Sequence, residues 1–363
     1  MVNPVKVSVV IKALNEAGNI RRAIESSLGA VAPFDGEVIL ADSGSTDGTI
    51  ETASELPITI VQLARPDERC CGVGPQLGYQ HSRGEYIYIL DGDMTLNPDF
   101  LTYAVEFLDR ERSCAGVGGF VREMRIENLE FEARVRRFNE RLIKGQTADV
   151  LSLSGGGLYR RAAVEQVGYI SDRNLHGYEE YDLGVRLRAK GWRLVRSEMH
   201  SADHYSYAMG TWSLLRHRIR AGYMLSAGEL LRAAIANHYT RRAFSELRAL
   251  RIALGVWVYW GVALLIAGLT RNTNWALVVL LLAVALPVAG MAIRTKSLLL
   301  GSYSVFLWHA NAVGLLFGLM RRRIPPTNPI ESRIVRHPPL KPVPASKTAE
   351  CGTGEPFGQR PNI

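Results

Sequence analysis

Glu85-Tyr86-Ile87-Tyr88-Ile89-Leu90-Asp91-Gly92-Asp93-Met94 is the stretch from which the rest of the chain can be read. Tyr86–Leu90 is an uninterrupted apolar run of strand-forming residues, bounded by a polar cluster. Two carboxylates follow at once, with a glycine that lets the backbone turn between them, and Asn97-Pro98-Asp99 then signals a helix start. Working outward, Val7–Ile11, Glu37–Ala41 and Ile58–Leu63 are runs of the same kind, and helical sequence extends from Ile20 to Leu28. Strands alternating with helices over residues 1–200 predict an α/β domain with a doubly wound, mostly parallel sheet. Ligands of such sheets sit at the carboxyl ends of the strands, so the polar residues after each run are the candidates for chemistry.

Asp91 and Asp93 repel one another unless a cation joins them, and hard oxygen ligands suit Mg²⁺ or Mn²⁺ shared with substrate phosphates. An acidic turn is common, and its position after a buried-looking strand is what raises it above one. Asp42 ends the second run, followed by the turn Ser43-Gly44-Ser45-Thr46-Asp47-Gly48-Thr49. Asp47 or Thr46 reads as a helix N-cap there, which leaves Asp42 to find a partner such as a ribose hydroxyl or a base N–H. Ala13-Leu14-Asn15-Glu16 is a third polar strand end on the same edge.

These pieces together resemble glycosyltransferase family 2, the inverting nucleotide-sugar enzymes with the GT-A fold. The stretches that carry the resemblance are VSVVIKALNEAGNI, VILADSGSTDGTI, GPQLGYQHSRGEYIYILDGDM, SGGGLYRRAAVEQVGY and GYEEYDLGVRLRAKGW, which cover roughly residues 5–200 in order. The resemblance implies that Ala13, Asn15, Glu16, Asp42 and Asp91 line the nucleotide pocket, and that Asp91 and Asp93 handle a metal–diphosphate. It places Gly155 and Gly156 at the acceptor. It also implies a general base in the pair Glu179-Glu180 that precedes Tyr181-Asp182-Leu183, with Glu180 at the base position one methylene longer than the usual Asp. Asp182 reads as a brace for the helix. The bland alternative is an exposed acidic helix start favoured by the dipole. Lys12, Gln76 and the pair Cys70-Cys71 depart from the family pattern on the diphosphate side. No Gln-x-x-Arg-Trp motif is present, which argues for transfer of a single sugar rather than polymer extrusion. His200 and His204 (HSADH) can share a helix face, and His204 is a candidate further metal ligand.

Composition locates the protein. The 363 residues are 47% apolar and carry a net charge of +8, with only four cysteines and no CxxC pair. That is neither a disordered composition nor a disulfide scaffold. The charge is divided: residues 1–204 sum to −6, 205–251 to +6 and 252–363 to +8. Nucleic-acid binders place the charge on the reading domain, so nucleic acid is excluded as a partner and an anionic membrane is favoured.

Ile252–Leu269 and Trp275–Ile293 are 18 and 19 uncharged residues, each enough to cross roughly 30 Å of hydrocarbon as a hairpin. Arg241, Arg242, Arg248 and Arg251 before the first span, against Arg271 alone in its loop, put the front domain in the cytoplasm, at the inner membrane of a bacterial-type cell. No signal peptide is read before the first strand. Leu298–Met320 is apolar but contains Ser302, Ser304, His309 and Asn311, and it either crosses, re-enters or lies in the interface. Trp212, Leu215, Ile219, Tyr223, Ala227 and Leu230 recur at helical spacing, the pattern of an in-plane helix on an anionic leaflet or of a helix packed on the domain. The expected organisation is a GT-A domain over 1–204, basic interface helices over 205–251, membrane segments over 252–320 and a disordered Pro-rich tail over 321–363.

The resulting expectation is a metal-dependent (Mg²⁺ or Mn²⁺), membrane-anchored inverting transferase. It moves one sugar from a nucleotide donor to a lipid-linked glycan in polysaccharide or glycolipid assembly, and it is compatible with a homo-oligomer. The alternatives are a polyprenyl-phosphate glycosyltransferase and a non-catalytic membrane assembly subunit.

Overall fold

A computed structural model describes residues 5–125, 147–205 and 210–337. The order of elements in the front domain is β1 (Val7–Ala13), α1 (Ile20–Val31), β2 (Glu37–Asp42), α2 (Thr49–Ala53), β3 (Thr59–Leu63), α3 (Val73–His81), β4 (Tyr86–Asp91), β5 (Met94–Leu96) and α4 (Pro98–Arg110). Then follow β6 (Cys114–Glu123), β7 (Ala148–Asp149), β8 (Gly157–Arg160), α5 (Arg161–Glu165), α6 (Glu179–Ala189) and β9 (Arg193–His204). All four expected strands are present, each at its expected place.

With a last strand β10 (Ser332–Arg336), the strands form one mixed sheet in the order β10-β3-β2-β1-β4-β8-β6-β9-β5, with β7 paired to β9. Pairing is parallel from β3 through β2 and β1 to β4, the doubly wound half that the sequence predicts. Beyond β4 it turns antiparallel at β8, which also pairs antiparallel with β6, while β6 and β9 run parallel. The sheet is buried on both faces, which is why β1 and β4 read as continuous apolar runs. Val7, Val9 and Ile11 join the core under α1 and α4, and Val10 joins the opposite core under α3 and α6. The helices present matching stripes. Ile20, Ala23, Ile24, Ser27 and Val31 of α1 are buried, as are Phe100, Leu101, Ala104, Val105 and Leu108 of α4. Asn97 caps α4 as expected, accepting a hydrogen bond from the Asp99 N–H at 3.1 Å.

The second half comprises α7 (Thr211–Arg220), α8 (Ser226–Ala236), α9 (Thr240–Glu246), α10 (Arg248–Leu269), α11 (Thr273–Thr295), α12 (Leu298–Met320) and β10 (Ser332–Arg336). Three of these, α10, α11 and α12, are long and apolar enough to cross a membrane. Most side chains of α10 and α11 are open to the surroundings, including Leu264, Leu265, Leu269, Leu281 and Leu286. Such a bare apolar surface needs a nonaqueous cover.

Three expectations are corrected. His200 and His204 lie on strand β9, not on a helix, because β9 completes the sheet beside β6 and β5. The apolar stripe from Trp212 to Leu230 is not one helix: it breaks at Gly222, whose φ of +79° and tight packing against His176 suit glycine alone. Its second part is buried (Ala227, Leu230), while Trp212 and Ile219 are exposed. Finally, the segment after Met320 is structured as far as residue 337, because β10 pairs antiparallel with β3 and closes the sheet edge. Residues 338–363 of the expected tail lie outside the described residues.

Candidate functional site

Three strand ends and one helix start meet at a single edge of the sheet. In the parallel register Lys12 of β1 lies beside Asp91 of β4, so both side chains leave the same face. The Lys12 ammonium is 2.8 Å from Asp91 Oδ1 and 3.7 Å from Glu179 Oε1. Glu179 and Glu180 open α6, whose preceding residue, Tyr178, takes φ +68° to set the helix start against the sheet. Lys12, Glu179, Glu180, Gly156, Tyr159 and Ser171 line one small cleft.

Electrostatics follow from this crowding. Burial is the largest influence on Glu180; with the neighbouring Glu179 it pushes the carboxyl up to about 7, and Lys12 opposes the rise. Burial works against the Lys12 ammonium, yet Asp91, Glu179 and Glu180 outweigh it and hold its pKa well above the ordinary value. The Gly155 N–H points at Glu180 Oε1 from 3.4 Å. Gly155 and Gly156 have φ of +83° and +91°, and a Cβ on Gly156 would stand 2.6 Å from the Ile89 carbonyl oxygen, so only glycine brings the backbone this close to β4. Asp182 is fully buried, paired with Arg186 at 2.8 Å and accepting from the Tyr239 hydroxyl at 2.6 Å. It braces the helix as expected, and the acidic helix start is not an exposed one.

At the second strand end, Asp42 is fully buried. Its Oδ2 accepts from the N–H groups of Gly44 and Ser45 and from the Gln62 amide, while its Oδ1 is buried without a partner among the described residues. Asn15 ties the first strand end to this loop: its N–H donates to Ser45 Oγ and its Oδ1 accepts from the Thr46 N–H, both at 2.8 Å. Glu16 lies beside them, its N–H donating to Thr49 Oγ1 and its Oε2 accepting from Asn19. Asp47 holds the start of α2 through Thr49, though Gly48 occupies the cap position itself.

The acidic pair after β4 is divided. Asp91 turns to Lys12, whereas Asp93 turns to His204, whose Nε2 is 3.0 Å from Asp93 Oδ2. His204 Nδ1 is 2.6 Å from Glu123 Oε2. Burial disfavours an imidazolium at this position, but hydrogen bonds to Asp93 and Glu123 outweigh it and lift His204 to about 10. Only with the Nε2 proton released would Asp93 and His204, the latter steadied from behind by Glu123, offer an oxygen and a nitrogen to a divalent cation. No group of three His, Cys, Asp or Glu side chains forms a ready cage among the described residues. His200 is directed elsewhere, to Asp203 at 2.9 Å. Sequence reasoning missed Glu123, which carries no signal of its own, and read Lys12 only as a departure. The interruption of an apolar strand by a lysine was the sign available.

Residues 8–168 match the model of the family described as Glycosyl transferase family 2. Over 104 residues the chain is 36% identical to the succinoglycan biosynthesis protein ExoO of Rhizobium meliloti (strain 1021), a match that covers 28% of this chain and 30% of that protein. Over 213 residues it is 25% identical to the succinoglycan biosynthesis protein ExoA of the same organism, covering 55% of this chain and 63% of that one. The chain thus spans less than two thirds of the length of these relatives. Among solved structures, the mannosyltransferase PcManGT from Pyrobaculum calidifontis, in complex with GDP-Man and Mn²⁺, aligns at a TM-score of 0.53 and 18% identity over 86% of this chain and 87% of that one. At that identity the likeness is one of fold, the GT-A arrangement.

Proposed function

We propose, on the match of residues 8–168 to the model of glycosyl transferase family 2, that this chain moves a single sugar, with inversion, from a nucleotide-sugar donor to a lipid-linked acceptor hydroxyl at the cytoplasmic face of the inner membrane. The named relatives act in succinoglycan biosynthesis, which favours polysaccharide assembly as the setting. The observation that carries the reading is the convergence of Glu179, Glu180 and Asp91 on Lys12 at the carboxyl ends of the strands.

The residues divide the work. Asp42 offers its unpartnered Oδ1 to a base N–H or a ribose hydroxyl, on a loop held by Asn15 and flanked by Ala13 and Glu16. Lys12 holds Asp91 and Glu179 in place and offsets their charge. Glu180, with a pKa near the working pH, accepts the proton of the acceptor hydroxyl. The hydroxyl oxygen then bonds to the anomeric carbon as the bond to the diphosphate breaks on the opposite face. Gly155 and Gly156, drawn in against Val121 and β4, bring the Gly155 N–H to Glu180 on the side proposed for the acceptor. Asp93 and His204 are the residues that would hold Mg²⁺ or Mn²⁺. When bound, the cation supplies a Lewis acid that offsets the charge of the departing diphosphate.

The test is sugar transfer from UDP-, GDP- and CMP-sugars by the Glu180→Gln variant in membranes. A base role predicts a loss of about 10²–10⁴-fold in kcat with donor binding retained. Transfer that survives the substitution points instead to a phosphate acceptor, which is already ionised and needs no base. Failure of the unaltered protein to bind any of these donors with Mg²⁺ or Mn²⁺ supports the assembly-subunit alternative.

A further inference from the structure

We infer that α12, although long and apolar enough to cross a membrane, begins and ends on the catalytic side and lies along the bilayer surface as a lipid-facing helix beside α7. The inference rests on the membrane seating proposed above, with α10 and α11 as the crossing pair.

The start of α12 is placed by its neighbours. Arg248 of α10, Met291 and Arg294 of α11, and Ser304 and Trp308 of α12 line one depression, so the start of α10, the end of α11 and the first half of α12 meet there. That meeting point lies on the side of the catalytic domain, because Glu246, two residues before α10, is paired with Arg188 of α6 at 2.8 Å. The end of α12 returns to the same domain. Arg321 binds Glu229 Oε1 at 2.8 Å, Arg323 reaches Asp172 Oδ2 at 3.3 Å, and the Ile324 N–H donates to Asn174 Oδ1 at 2.8 Å. The chain then continues into β10 on the edge of the catalytic sheet. Both ends of the helix are therefore fixed to one side.

The middle of α12 agrees. The Tyr303 ring meets Trp212 at the start of α7 with centroids 5.5 Å apart. Further along, Gly314 and Gly318 lie against the backbone of Met224 and Leu225, where an added Cβ would stand 2.0 and 2.1 Å from a carbonyl oxygen. The helix thus runs beside the segment from residue 212 to 229, which carries Arg216, Arg218, Arg220 and Glu229. So many charges cannot accompany a helix through hydrocarbon, but they suit the headgroup layer. Apart from these contacts and those with Trp257 and Trp260 of α10, α12 leaves Phe306, Val313, Phe317 and Met320, at spacings of seven, four and three, as one exposed apolar stripe. Arg248 and Arg294 line the depression that α12 shares with α10 and α11, and Arg251, Lys296 and Arg321 stand at the ends of these helices. An apolar stripe edged by cations fits the headgroup–acyl boundary of an anionic bilayer. With only two crossings, every arginine and lysine that flanks the apolar segments, Arg271 excepted, falls on the catalytic side, as the charge rule for cytoplasmic loops requires.

The test uses the full chain in bacterial membranes, with cysteines placed singly at Asn272→Cys, Lys296→Cys and Arg322→Cys. Labelling by a membrane-impermeant maleimide is read peptide by peptide, so that the native cysteines stay. We expect Lys296→Cys and Arg322→Cys to label only in inverted vesicles, and Asn272→Cys only from outside the cell. Labelling of residues 296 and 322 from opposite sides overturns the inference while leaving the membrane seating intact. Labelling of 272 on the same side as 296 overturns the crossing pair itself, and the inference with it. A second reading comes from nitroxides at the exposed positions 306, 313 and 317, in vesicles of phosphatidylethanolamine and phosphatidylglycerol. Equal immersion depth is expected. A graded depth over roughly 16 Å, the axial rise between residues 306 and 317, overturns the in-plane placement.

Discussion

At the scale of single residues, the site is governed by one cation among carboxylates. Glu180 at about 7 acts as a base only when ionised, so transfer measured as kcat/KM should fall about tenfold per pH unit below that value. Lys12 pulls this pKa down by favouring the charged carboxylate, hence Lys12→Met should move the limb to higher pH. A pH–rate profile of the variant checks it, and an unmoved limb means that Glu180 is not the titrating base. Asp91, Asp93, Asp42 and the Glu179-Glu180 pair were legible in the sequence because each follows a strand-like run or opens a recognisable helix. Lys12 was not, because what it does depends on Asp91 and Glu179, which are distant in the chain and meet it only in the fold. The partition of Asp91 to Lys12 and Asp93 to His204 was hidden for the same reason.

At the scale of elements, the contact between α12 and the catalytic domain depends on absent side chains. Gly228 sits against the Leu315 carbonyl oxygen, where a Cβ would stand 1.9 Å away, and Gly314 and Gly318 are equally close to their neighbours. Gly318→Val should therefore force the helices apart at a cost of about 1–3 kcal/mol, seen as a lower Tm in detergent. No fall in Tm would mean that α12 does not pack there. The parallel strands were readable because burial on both faces leaves an uninterrupted apolar run. The strands β8 and β9 were not: Arg160 and the polar sequence of β9 look unlike sheet interior. Arg160 is nonetheless buried, its guanidinium donating to the carbonyls of Cys114 and Leu108. The strand β10 is similarly disguised among prolines and gains its form from β3 alone.

Across the whole molecule, the acidic front and the basic rear are joined by a relay from the last strand to Asp42 at the proposed nucleotide pocket. The Arg333 guanidinium donates to Gln62 Oε1, and the Gln62 amide donates to Asp42 Oδ2 at 2.8 Å. Arg333→Ala should free Gln62 and loosen Asp42, raising the donor KM by roughly five-fold, the worth of about 1 kcal/mol, with kcat little changed. Steady-state kinetics at fixed acceptor checks this, and an unchanged KM disconnects the strand from the pocket. The division of charge along the chain was legible at once, whereas this relay joins residues 271 positions apart and leaves no local mark. The placement of β10 also orders biosynthesis. Its residues leave the ribosome only after α10, α11 and α12, so a nascent catalytic domain carries β3 as an open edge until the apolar helices have been made. Completion of the sheet therefore waits on synthesis of the three apolar helices, and the front domain closes its open edge only after the last of them has left the ribosome.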